Sequence, residues 1–415
     1  MTTTLERPVS APPVSARGDS PTTLLPVSGI VDLQGRHGFL RVSGYLPGPN
    51  DHYLSAELVR RHGLRTGDLV DALAAPPASA GSRGSRSNSG SSGSGKAAGQ
   101  STANPLARVE SVNGRPADAD TRRPAFAELT PVHPQERLRL ETGPGVLSTR
   151  ALDLLAPIGK GQRGLIVAQP KTGKTQLLQA VARAVETNHP ECHLMVILLD
   201  ERPEEVTDMR RTVGGEVIAS TFDRPAHEHV AIAELAVERA KRLAEQGTDV
   251  VILLDSLTRL CRAHNNAAKP GGRLLSGGVD AASVAGPKQL FGAARNLEEA
   301  GSVTILATAL IDTGSRADDY FFEELKSTGN MEVRLDRSLA DKRIFPAIDV
   351  AGSGTRREEL LLPADELETM RRLRRVLTAQ PGTQPTELLL ERMKQSTGNA
   401  GFLRQVRQTT PSAES

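Results

Sequence analysis

Five short runs of branched apolar residues recur in the second half of the chain: "GLIVA" (164–168), "HLMVILL" (193–199), "EVIAST" (216–221), "DVVILLD" (249–255) and "SVTILATAL" (302–310). Each is too short for a core helix and too uniformly apolar to keep one face in water, the pattern of a strand covered on both sides. The intervening segments have helical spacing. In "TQLLQAVARAVE" the residues Leu177, Leu178, Val181 and Val185 form one stripe, and "AHEHVAIAELAVERAKRLAEQ" extends the same pattern. Strands alternating with helices imply a parallel α/β sheet with helices on both faces.

At 415 residues the chain is expected to hold two folded units. A formal net charge of +2 excludes a chain basic throughout, so any nucleic-acid contact must come from local clusters of Lys and Arg. The two cysteines, Cys192 and Cys261, cannot build a disulfide framework and lack metal-ligand spacing. With no apolar leader and no membrane-length apolar run, a cytoplasmic protein is expected.

Residues 1–24 are rich in Pro, Thr and Ser and are expected to be disordered. Residues 25–122 carry "GIVDLQG", "HGFLRV", "HYLSAELV" and "GDLVDALA", separated by turn residues as in a small all-β barrel of the oligonucleotide-binding type. "LARVESVNG" is expected to add one more strand after a Gly/Ser-rich insertion at 76–105, which carries Arg83, Arg86 and Lys96 and no acid. Residues 123–150 are assigned as a linker, 151–405 as the α/β domain and 406–415 as a disordered tail.

Within the α/β domain, "AQPKTGKT" (168–175) joins the strand "GLIVA" to the helix "KTQLLQAV". That context makes Gly-Lys-Thr a phosphate-binding loop: amides of Gln169, Pro170, Lys171, Thr172 and Gly173 line the turn, Lys174 reaches the β and γ phosphates, and Thr175 ligates Mg²⁺. Pro170, having no N–H, contributes only its shape. Ala168 replaces the usual first glycine, which is tolerable where φ stays negative. "DVVILLDSLTR" ends its strand in Asp255, suited to hold the magnesium shell, and "VILLDERPEE" ends in Asp200 and Glu201, suited to polarise an attacking water. Asp255 and Glu201 can also be read as helix N-caps, but two such carboxylates beside one phosphate loop favour hydrolysis.

Taken in order, "AQPKTGKT", "DERPEEVT", "LLDSLTRL", "SGGVD", "PKQLFGAARN", "ATALIDTGS", "STGNMEV", "KRIFPAIDV" and "SGTRREEL" closely resemble the bacterial transcription termination factor Rho family. The resemblance runs from about residue 24 to 400 and implies a RecA-like, homohexameric ring ATPase. Its cofactors would be ATP and Mg²⁺. Such a ring binds pyrimidine-rich nascent RNA, moves along it 5′ to 3′ and dislodges RNA polymerase, with an elongation factor as a further partner. The resemblance assigns Lys171, Lys174, Thr175 and Arg202 to the nucleotide, Glu201 to water activation, Asp255 to magnesium, and Phe345 to adenine packing. It makes Arg356 the arginine finger of a neighbouring subunit and Arg343 a second trans arginine. Arg273, Gly277, Gly278, Val279 and Asp280 fall on one RNA loop of the channel and Arg316 on a second, with Lys326 added to the RNA set. On the barrel, Arg36, His37, Phe39, Arg41 and Tyr45 form the expected RNA face, with Arg36-His37 standing where the family has a Gly-aromatic pair.

Two other classes compete: an RNA-binding protein with a degraded ATP site, and a rotary proton-ATPase subunit sharing the RecA-like core. The intact Lys174, Glu201, Asp255 and Arg356 argue against the first, and the barrel and "SGGVD" against the second.

Overall fold

A computed structural model describes residues 24–75, 105–118, 123–268, 275 and 277–409. The insertion's Arg83, Arg86 and Lys96, together with Arg273, lie outside the described residues.

The N-terminal unit contains β1 (Leu25–Gln34), β2 (His37–Arg41), β3 (His52–Leu54), β4 (Leu69–Ala74), β5 (Leu106–Val112) and β6 (Arg115–Pro116), all antiparallel, in the order β3-β2-β1-β4-β5-β6. A bridge between Tyr53 and Pro105 brings β3 back against β5 and curls the sheet into a barrel. Alternation fills its interior: Val31, Leu40, Leu54, Val70 and Val109 are buried. The run "HYLSAELV" is not one strand. It stops at Leu54 because Ser55 caps a helix, Ala56–Arg61, by accepting from the Leu58 amide.

The second unit begins with β7 (Pro131–Val132), β8 (Arg137–Leu138) and β9 (Ile158–Gly159), and continues with β10 (Arg163–Ala168), β11 (His193–Glu201), β12 (Glu216–Thr221) and β13 (Val250–Asp255). It is completed by β14 (Arg295–Leu297), β15 (Ser302–Leu310), β16 (Met331–Leu335) and β17 (Gly354–Thr355). The main sheet runs β12-β11-β13-β15-β10-β16-β17 and is parallel up to β16. Its strands divide their side chains between two cores: Leu194, Val196 and Leu198 of β11 enter one, and Met195, Ile197 and Leu199 the other. The six strands from β12 to β16 on this path therefore end at one mouth, while β17 and β14, which pairs with β15, run the other way.

Two expected boundaries need correction. Residues 123–150 are no loose linker: β7 pairs with β14, β8 with β9, Phe126 is buried in the sheet's core, and the helix Leu147–Leu155 starts inside the segment. The Arg150 guanidinium, fully buried, donates to the Met393 and Ser396 carbonyls and to Asn399 Oδ1, tying this segment to the C-terminal helices. The last helix, Asn399–Thr409, runs past 405 because Val406 is buried in the core.

The two units are tightly docked. The Tyr45 hydroxyl donates to Glu216 Oε1 at 2.6 Å, Arg65 pairs with Glu245 at 2.9 Å, and Arg239 donates to Asn113 Oδ1 at 2.7 Å.

Candidate functional site

At the mouth of the sheet the chain leaves β10 through a five-residue loop into the helix Lys174–Asn188. Ala168 remains strand and is fully buried, so a glycine is unnecessary there. Lys171 (φ 67°) and Gly173 (φ 90°) both take left-handed backbone, and such alternation turns successive amides into a concave anion cradle. Thr172 is buried and donates to the Gln169 carbonyl at 2.8 Å, Gln169 Nε2 donates to Asp312, and the Pro170 carbonyl accepts from Arg337. Gly173 has a second reason to be glycine: a Cβ there would stand 3.3 Å from the Phe345 ring. Phe345 and Pro346 form, with Val146, Leu147 and Gln176, a cleft of about 330 Å³ beside the loop, suited to a flat heteroaromatic base. Val146, Leu147 and Gln176 were not expected from sequence; they carry no pattern that would mark them.

Lys174 Nζ lies 2.5 Å from Asp255 Oδ1 and 3.6 Å from Glu201 Oε1. Asp255 is buried and also accepts from the Thr308 hydroxyl at 2.9 Å, while its Oδ2 has no partner among the described residues. The Thr175 hydroxyl at the start of the helix and the Asp255 carboxylate oxygen left without a partner are hard oxygen donors that fit Mg²⁺, which is commonly held by one or two carboxylates.

Which of the two adjacent acids faces the site is decided by a bulge. The register between β11 and β12 shifts between Leu199 and Glu201, with Asp200 at φ 55°. The extra residue turns the Asp200 side chain outward, 40% exposed, and the Glu201 side chain inward, 4% exposed. Burial first, and then the charge of Asp255, raise the Glu201 pKa above its usual 4.5. Arg259 Nη2 stands 3.3 Å from Glu201 Oε1; it lies in the quoted "LLDSLTRL", four residues after Asp255, and its place on that turn is the signal that could have found it. Arg202 caps the next helix, and its 68% exposed side chain pairs with Glu205 at 3.7 Å.

Arg356 stands elsewhere. Its amide donates to the Asn330 carbonyl and the Asn330 amide to the Arg163 carbonyl, so Arg356 is level with the start of β10. Five residues of strand, about 16 Å at ~3.3 Å each, separate that level from Ala168. Arg356 therefore cannot serve its own phosphate loop. Lys326 belongs with it, a correction to its place among the RNA contacts: the helix Arg316–Lys326 carries it about 15 Å from Arg316 at ~1.5 Å per residue. There it lines a recess of about 260 Å³ together with Asn330, Thr355 and Arg356. Arg343, exposed at φ 62°, sits two residues before Phe345, beside its own chain's base cleft.

The two glycine-rich loops come together. Gly277 (φ 82°) lies so close to the start of the helix Arg316–Lys326 that a Cβ would stand 2.9 Å from the Ala317 amide nitrogen. Gly277, Gly278 and Arg316 are exposed. Val279 and Asp280 are not available to a ligand: Val279 is fully buried in the core, and Asp280 is buried, its amide donating to Asn265 Oδ1 and its Oδ1 accepting from Ala282. They anchor the turn.

The barrel face also departs from expectation. Arg41 is 4% exposed, its guanidinium bound to Asp32 and, at 2.7 Å, to Asp51, so it is no free cation for a phosphate. Tyr45 is 8% exposed and holds Glu216 across the domain boundary, so it presents no ring to a base. The aromatic surface is instead His37, Phe39 and Tyr53: β2 and β3 pair Phe39 with Tyr53, whose rings lie 6.1 Å apart edge to face, and His37 is 5.8 Å from the same Tyr53. The Arg41 guanidinium lies 5.0 Å from the Phe39 ring centre, and Arg36 is exposed in the adjoining turn.

Residues 148–355 match the ATP synthase alpha/beta family, nucleotide-binding domain, and residues 27–118 match the Rho termination factor, RNA-binding domain. Two solved ATPases of type III secretion systems share the fold, at TM-scores of 0.56 and 0.54 and 22% and 21% identity, each over 71% of this chain and covering 94% and 79% of theirs. Fold and site together define a RecA-like P-loop ATPase joined to an RNA-binding barrel. Relatives described as transcription termination factor Rho are 58% identical over 99% of this chain in Streptomyces coelicolor and 54% over 99% in Streptosporangium roseum, spanning 91% and 99% of those proteins. A Streptomyces lividans relative is 59% identical over 94% of this chain, which spans only 52% of its length. The chain belongs to the transcription termination factor Rho family. No described helix is long and apolar enough to cross a membrane.

Proposed function

We propose that this chain is an RNA-dependent ATPase that assembles into a homohexameric ring in the bacterial cytoplasm. The ring captures pyrimidine-rich nascent RNA, draws it 5′ to 3′ through its channel, and ends transcription by displacing RNA polymerase, with an elongation factor as a further partner. The observation that carries the reading is the convergence of Lys174, Glu201 and Asp255 at one end of the sheet while Arg356 stands at the other.

ATP would lie with its base in the cleft at Phe345 and its phosphates in the amide cradle, Lys174 leaving Asp255 to neutralise the β and γ oxygens. Thr175 and Asp255 are the residues that would hold magnesium, which when bound would supply Lewis-acid neutralisation of the phosphate charge. Glu201, inward and beside Lys174, is the residue to orient water and take its proton. Arg356 and Lys326 complete the site of the adjoining subunit, and Arg343, beside the base cleft, is the weaker trans candidate. On the barrel, His37, Phe39 and Tyr53 stack bases, with Arg36 exposed in the adjoining turn to meet a phosphate. Gly277, Gly278, Arg273 and Arg316 track the RNA backbone in the channel.

ATP turnover measured with and without poly(C), alongside native mass, tests the reading. Strong stimulation in a six-membered ring is expected. Binding without turnover would favour an RNA-binding protein with an idle site, and RNA-indifferent turnover a different RecA-like motor.

A further inference from the structure

Of the eight phenylalanines, Phe126, Phe291, Phe321, Phe322 and Phe402 are buried, Phe39 is half-buried on the barrel face, and Phe345 lines the base cleft. Phe222 is left, and it is 59% exposed, a large apolar surface in a chain with no tryptophan. It follows the last residue of β12, and its amide donates to the Glu201 carbonyl at 3.2 Å. An exposed aromatic side chain thus stands at the mouth of the sheet, on a residue whose backbone is bonded to that of Glu201. Neither the nucleotide site nor the RNA face uses it.

We propose that Phe222 anchors one copy of this chain to the next, its ring entering the recess that Lys326, Thr355 and Arg356 line on the adjoining copy. The inference rests on the ring reading above. Arg356 can reach a phosphate beside Glu201 only on another copy, which makes the contact head to tail: the mouth of one sheet meets the strand beginnings of the next. Residues paired across adjacent strands lie about 5 Å apart, so whatever brings Arg356 to the Glu201 end also brings its recess over Phe222. The recess, about 260 Å³, is large enough for a phenyl ring, and Met331 at its wall is apolar. Lys326 and Arg356 form no ion pair among the described residues, and an unpaired cation is stabilised against an aromatic face. Lys326 Nζ already lies 5.6 Å from the Phe322 ring centre. Because the Phe222 amide holds the Glu201 carbonyl, seating the ring also fixes the backbone that carries the carboxylate. Docking and placement of Glu201 are one event.

Assembly of Phe222→Ser, followed by mass photometry over a dilution series with RNA and a non-hydrolysable ATP analogue, tests this directly. The dissociation midpoint should move to about 30-fold higher protein concentration, the weight of an aromatic hot spot. Phe222→Leu, which keeps apolar bulk, should stay within a few-fold of the natural chain. A second measurement does not depend on affinity: Phe222→Cys combined with Thr355→Cys in a Cys192→Ser background, with Cys261 fully buried, should give a ladder of covalent multimers on oxidation that neither single cysteine gives. An unchanged midpoint for Phe222→Ser, or no ladder from rings shown intact by mass, would overturn the assignment. A natural chain that forms no ring, or whose turnover ignores RNA, would instead overturn the functional reading itself.

Discussion

The mouth of the parallel sheet and the outer face of the barrel are both surfaces for a ligand, but they hold their residues in place by different means. At the mouth the backbone decides. Lys174 begins a helix, Asp255 ends a strand, and Glu201 is turned inward by a bulge, so residues 81 positions apart meet at 2.5 Å. On the barrel, side chains decide, and neighbours can recruit them: Arg41 is drawn in by two aspartates, Tyr45 is taken by Glu216 of the other unit, and Tyr53 arrives from the adjacent strand. A site built on strand ends tolerates few changes, whereas a site built on a strand face can be rebuilt one side chain at a time.

The largest effects should therefore come from the mouth. Arg356→Ala is expected to bind ATP normally and lose about 10³–10⁵-fold in turnover, the range arginine fingers supply; Lys174→Ala should be inactive as well but bind ATP poorly. Normal turnover by Arg356→Ala in steady-state assays would break the comparison, since the mouth would then be complete within one chain. Glu201→Gln should retain nucleotide and turn over about 10²–10⁴-fold more slowly. Its pH profile sharpens the point. With the Glu201 pKa raised, the proton-accepting carboxylate form is lost as pH falls through a value above 4.5, so turnover of the natural chain should show an acid limb there that Glu201→Gln lacks.

Effects on the barrel should be smaller and graded. Tyr53→Ala and Phe39→Ala are each expected to weaken binding of a short pyrimidine oligonucleotide by about 1–3 kcal/mol, read by fluorescence anisotropy. Tyr45→Phe should leave that affinity unchanged and lower unfolding stability by about 1 kcal/mol, the loss of one hydrogen bond. A fall in RNA affinity on Tyr45→Phe without loss of stability would return Tyr45 to the RNA face.

What could be read in the sequence follows the same division. The five apolar runs and the Gly-Lys-Thr turn specify backbone, and they reappear as β10 to β13 and β15 with the loop between. The residue pattern alone does not separate Asp200 from Glu201, and the resemblance is what singles out Glu201; the bulge supplies the physical reason, turning one of two adjacent side chains inward. β16 carries no such apolar run: Met331, Val333 and Leu335 are buried while Glu332 and Arg334 between them are half-buried, a half-polar alternation too short to mark a strand. The distance of Lys326 from Arg316 depends on helix length, and the burial of Tyr45 on a partner 171 residues away, and neither is legible in local sequence.

Lys174 and Arg356 stand at opposite ends of one sheet, and this has a consequence for heredity. Where each active site is shared between two chains, a gene product cannot fail privately. On the proposed reading, a copy lacking Arg356 would keep its own phosphate loop and silence its neighbour's, so a cell making sound and damaged copies together would lose more activity than the damaged fraction alone. An Arg356 allele should therefore behave as dominant, whereas an allele that prevents the chain from entering rings at all should be recessive.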